Sequence, residues 1–75
     1  MKRDEFLLAM DDILGLRQGT LIGNEKLEDL ENWDSTALIS LIALAETTNS
    51  VCILPEEVVD CSTVADLLRL AQVDN

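Results

Sequence analysis

The order of apolar and polar positions divides the chain into helices and one long connection. Phe6, Met10, Ile13 and Leu14 recur at helical spacing, Leu7 widens the stripe, and Asp4, Glu5, Asp11 and Asp12 fall elsewhere. This spacing predicts a first helix over 3–16. Asp4 and Glu5 complement the dipole in its first turn, and Arg17 falls near its C-terminal end. Gly15 and Gly19 mark the exit. From Gln18 to Trp33 no period holds, yet Leu21, Ile22, Leu27 and Leu30 are more large aliphatics than a solvated loop requires. They are expected to pin the connection across the helices, with Leu27 and Leu30 in a short helical turn. Loops of this length are uncommon in compact domains and often functional.

Asp34 is a good N-cap for a second helix, and Trp33 is placed to pack on Leu38 as a hydrophobic staple. From Leu38 to Ala45 apolar residues occupy nearly every face, which predicts burial against several neighbours. About thirteen residues give a rod of roughly 20 Å, ended by the polar run from Thr47 to Ser50. Val51 to Leu54 is an apolar connector. Pro55, followed by Glu56 and Glu57, opens a short third helix to Cys61, and Ser62 or Thr63 caps a fourth through Val64, Leu67, Leu68 and Ala71. There is no strand signal and no internal repeat. The expected fold is all-α, four helices with a long loop between the first two. Leu38, Ile39, Leu41, Ile42, Val58, Val59, Val64 and Leu67 are expected in the core.

A chain of 75 residues is read as one small domain, residues 1–75, with one modest core. Because 48% of it is apolar, disorder is not expected. Phe6 and Trp33 are the only aromatic residues, so the core is aliphatic and soft. The net charge of −10 is concentrated: no Lys or Arg occurs from Leu27 to Leu68, a stretch with nine Asp and Glu. Such a field repels phosphate backbones and draws basic partners, which excludes nucleic acid as a ligand. Cys52 and Cys61 fit small core residues better than a disulfide, and no zinc spacing exists. No signal peptide or membrane span is legible, so the chain reads as cytoplasmic.

Candidate chemistry centres on Ser35. It lies where a loop gives way to a helix, and a helix start favours anions through its unpaired N–H groups and the macrodipole. The chain has no histidine, so Ser35 lacks the usual base of a nucleophilic serine. A serine modified by another enzyme needs none.

The order of elements, Asp34-Ser35 at the head of the second helix, Pro55-Glu56-Glu57, and Ser62-Thr63-Val64-Ala65-Asp66-Leu67 resemble the acyl carrier proteins over essentially the whole chain. The resemblance implies a four-helix carrier that performs no chemistry itself. In that family a phosphopantetheinyl transferase moves 4′-phosphopantetheine from coenzyme A onto the serine, matched here by Ser35, and the arm's thiol holds an acyl group as a thioester. Asp34 matches the aspartate that orients metal and phosphate in the transferase complex. The resemblance places partner docking at Thr36, Ile39, Glu46, Glu56 and Glu57, facing basic surfaces of acyl-loading, acyl-processing and acyl-transferring enzymes, with the carrier a monomer. The family usually reads Leu-Gly-x-Asp-Ser-Leu. Here Leu30-Glu31-Asn32-Trp33-Asp34-Ser35-Thr36 is one residue longer, lacks the glycine and has Thr36 for leucine. Ser40 and Thr47 stand where outward acidic residues are usual, which points to a free-standing specialised carrier of acyl, aminoacyl or polyketide cargo. The alternatives are a small acidic interaction module for a basic partner helix and, without histidine a poor fit, an enzyme using Ser35.

Overall fold

The computed structural model describes residues 2–73, and among these every regular element is helical. Helix α1 (Arg3–Ile13) ends earlier than the apolar spacing predicts because Gly15 takes a left-handed φ of +70°. The Leu16 N–H then donates to the Asp11 carbonyl at 2.7 Å and the Gly15 N–H to the Asp12 carbonyl at 3.1 Å. That pair of bonds satisfies the last carbonyls of the helix in the Schellman manner. Phe6, Leu7 and Met10 of α1, with Leu14 just beyond it, are buried.

Asp11 is a correction to the apolar pattern. Expected off the core stripe, it is fully buried, at spacings of four and three from Leu7 and Leu14. Its carboxylate is satisfied by the loop: Oδ2 accepts from the Gly19 N–H at 2.9 Å and Oδ1 from the Leu21 N–H at 3.1 Å. A buried carboxylate without such donors would cost several kcal/mol, roughly the stability of a small domain.

The connection from α1 to the next long helix is ordered by its own side chains. Leu21 and Leu27 are buried and Leu30 half-buried, as expected, whereas Ile22 is 60% exposed. Glu25 folds back so that its carboxylate accepts from the Ile22 and Gly23 N–H groups at 2.8 and 2.9 Å. Partial burial raises the Glu25 pKa, but these bonds outweigh it and hold the group below its ordinary value. Leu27–Asp29 forms a 3₁₀ turn, the short helical turn expected there. Lys26 and Thr63 form an isolated antiparallel bridge: the Leu27 N–H donates to the Ser62 carbonyl at 2.9 Å, and the Val64 N–H to the Glu25 carbonyl at 3.0 Å.

Helix α2 (Ser35–Asn49) buries only Ala37, Leu41 and Ala45, one narrow stripe at spacing four. This overturns burial on several faces: Leu38 and Ile42 are half-buried, and Ile39 is 65% exposed. Ser50, at φ +56°, ends the helix in the left-handed region. Helix α3 (Pro55–Val59) stops short of Cys61 and is closed at its start by Glu57, whose Oε1 accepts from the Leu54 N–H at 2.9 Å. Val58 is buried, while Val59, expected in the core, is 72% exposed because it points away from the packed side of this single turn. Helix α4 (Val64–Leu70) starts with a capping box in which Thr63 Oγ1 accepts from the Asp66 N–H and Asp66 Oδ2 accepts from the Thr63 N–H. Backbone donors from Ser62 and Thr63 lower the Asp66 pKa, and Arg69 pairs with the same carboxylate.

Helix α1 packs on α2, α2 on α3, and α3 on α4. The centre is formed by Phe6, Met10, Leu14, Leu41, Val58 and Leu67, all essentially sealed from solvent. One aromatic among aliphatics matches the largely aliphatic core that composition implies. Among the described residues no helix is long and apolar enough to cross a membrane.

Candidate functional site

The corner that carries Ser35 is fixed from both sides. Upstream, the Asn32 amide donates through Nδ2 to the Leu14 carbonyl at 2.7 Å, tying the end of the loop to the end of α1. Trp33 is half-buried against the core, and its backbone N–H donates to the Leu30 carbonyl at 3.1 Å. Asp34 follows in an extended conformation (φ −130°, ψ −172°), and its Oδ1 accepts from the Ala37 N–H at 2.9 Å. This is the N-cap that the sequence predicts. The Leu38 N–H, bonded to the Asp34 carbonyl at 2.9 Å, begins the regular ladder.

Ser35 is therefore the first residue of a fifteen-residue helix, and Asp34, Ser35 and Thr36 are all exposed. At the first two helical positions the backbone N–H groups have no intrahelical acceptor. The hydroxyl thus stands in solvent at the positive end of α2. The neighbouring carboxylate is engaged by the Ala37 N–H, and the chain has no imidazole to deprotonate Ser35.

The residues assigned to docking are exposed but not gathered at one point. Thr36 borders a cavity between α1 and α2, and Ile39 lies one turn beyond Ser35 on α2. Glu46 is near the far end of that helix, about 16 Å along its axis from Ser35. Glu56 and Glu57 belong to α3, and the Glu57 carboxylate is already used to close that helix.

No family model matches the chain, and no curated protein or solved structure is detectably similar to it.

The cysteines divide. Cys52 is exposed, which corrects its expected place in the core, since the connector 51–54 buries Ile53 and turns its neighbour outward. Cys61 is half-buried, its Sγ 3.5 Å from the Glu57 carbonyl. Burial, then the Asp66 and Asp60 carboxylates, raise its pKa above the ordinary 9.0, so the thiol stays protonated. Both are free, and among the described residues no cluster of His, Cys, Asp and Glu could hold a metal ion. Two residues that shape the site were not legible beforehand. Nothing in the sequence singles out Asn32 as the tie to α1. Ser40, conspicuous only as a missing acidic residue, lines the cavity beside Thr36.

Proposed function

We propose that the chain is an acyl carrier protein, a four-helix carrier whose Ser35 bears 4′-phosphopantetheine. The observation that carries this reading is the exposed Ser35 hydroxyl at the first position of α2, behind an N-cap formed by Asp34. The residues present fit the group. A phosphodiester on Ser35 Oγ would lie beside the unpaired N–H groups of the first turn, where the helix dipole stabilises negative charge. The residue order around Asp34-Ser35 and from Pro55 to Leu67, which resembles that family, supports the same reading.

In the loading reaction Ser35 Oγ attacks the phosphorus of coenzyme A that bears the pantetheine. A new serine–phosphate ester forms, the pyrophosphate bond breaks, adenosine 3′,5′-bisphosphate leaves, and a base on the transferase takes the hydroxyl proton. Bound to Ser35, the group supplies a thiol on which acyl cargo is held. This chain contributes position: Asp34 and Asn32 fix the corner, and the acidic surface meets basic enzymes. Thr36, Ile39, Glu46 and Glu56 are open to such partners, while Glu57 acts first as a helix cap.

The test is the intact mass of the protein after incubation with coenzyme A and several phosphopantetheinyl transferases, with Ser35→Ala alongside. A gain of one phosphopantetheine, absent in Ser35→Ala, is expected. No gain with any transferase overturns the proposal and leaves the interaction module, whose salt-sensitive binding would not depend on Ser35.

A further inference from the structure

Among the described residues, one hydrogen bond joins the corner that presents Ser35 to another element. Between Glu31 and Thr36 the rest stay within the turn or within α2: the Trp33 backbone N–H donates to the Leu30 carbonyl, and Asp34 accepts from the Ala37 and Leu38 N–H groups. The exception is Asn32, whose Nδ2 donates to the Leu14 carbonyl at 2.7 Å. Leu14 is the C-cap of α1, so its carbonyl lies past the helical ladder and needs an outside donor. Packing does not close this side. A cavity of about 420 Å³ lies here, lined by Leu14 and Gly15 at the end of α1 and by Asn32, Asp34 and Thr36 at the corner. Leu30 and Trp33 are half-buried against the core, but apolar contact is non-directional and leaves the corner free to pivot. The Asn32 hydrogen bond is directional, and it fixes the distance from the corner to α1.

We propose that Asn32 is a positioning residue for the loading of Ser35. By tying the turn 30–33 to the end of α1, it keeps the Asp34-Ser35 corner in the arrangement that a transferase recognises. The inference rests on the carrier reading of Ser35. Asn32 touches neither the hydroxyl nor the incoming group; it acts through the Trp33-Asp34 backbone between them. Its effect is on population. Without the tie the corner samples several arrangements, and the apparent affinity of a partner that binds one of them falls by the competent fraction. Once bound, the contacts of the transferase itself hold the corner, so the rate within the complex is unchanged. The loss therefore falls on KM for the carrier and not on kcat.

The test measures loading kinetics with coenzyme A and a transferase that modifies the unaltered chain, for Asn32→Ala and Asn32→Asp. Asn32 is exposed in a turn, so both variants keep the core intact, which urea unfolding verifies. Asn32→Asp keeps the shape, removes the donor and adds a negative charge that a basic transferase favours, so a rise in KM there isolates the hydrogen bond. In both variants KM is expected to rise about fivefold, the worth of one ordinary hydrogen bond, with kcat within about twofold. The Ser35 and Thr36 amide NMR signals of the unloaded variants are expected to shift or broaden, while those of α4 stay in place. Unchanged KM in both variants overturns the positioning role while the carrier reading stands, and so does a fall in kcat at constant KM. Absence of any mass gain in the unaltered chain across several transferases overturns both.

Discussion

Helix α1 has four acidic residues among eleven and buries Phe6, Leu7 and Met10, while α2 has one acidic residue among fifteen and buries two alanines and a leucine. The more polar helix contributes more to the core. In α1 the stripe buries Phe6, Leu7 and Met10 fully and Ile13 in part, with Leu8 left outside, and it even takes in Asp11, whose carboxylate is satisfied by loop N–H groups. In α2 the apolar content exceeds what packing uses. Ile39 stands in solvent, and Leu38, Ile42 and Leu44 are covered only in part. On the carrier reading proposed above, Ile39, one turn from Ser35, is open to a partner enzyme, whereas the stripe of α1 serves the core.

The contrast is open to attack by substitution. Asp11→Ala strips the acceptor from two N–H groups, one of them buried, and should cost about 3 kcal/mol, read as a lower urea midpoint. A loss within experimental error would show that the carboxylate does not hold the loop to α1. Asp34→Ala removes the cap of α2 and should cost about 1 kcal/mol by the same measurement. Smallest of all, Ile39→Gln should leave stability within about 0.5 kcal/mol, as for an ordinary surface position. If Ile39→Gln destabilised the fold as much as Asp11→Ala, the division of labour between the two helices would collapse.

The helices were legible where local signals are strong. Asp34 caps α2 and Thr63 caps α4, each through one side chain accepting from a nearby backbone N–H, while Pro55 sets the first position of α3 by its fixed φ and missing N–H. Burial was less legible because it depends on which elements come to lie opposite. Ile39 and Val59 have the composition of core residues, and only the packing of α2 and α3 turns them outward. Asp11 could have been found, since its spacing from Leu7 and Leu14 puts it on the apolar face; its chemical type hid its position. The serine at the head of α2 was readable from Asp34-Ser35. The cavity that Thr36 and Ser40 border was not, because it arises from short side chains on α2 facing residues of α1 more than twenty positions away in sequence.

The backbone bridge between Lys26 and Thr63 joins the loop before α2 to the start of α4. Closing a contact of such span carries a chain-entropy cost that local helices do not. The course of the loop leading to Ser35 therefore depends on α4, and loosening the start of α4 would loosen the segment that leads to the Asp34-Ser35 corner.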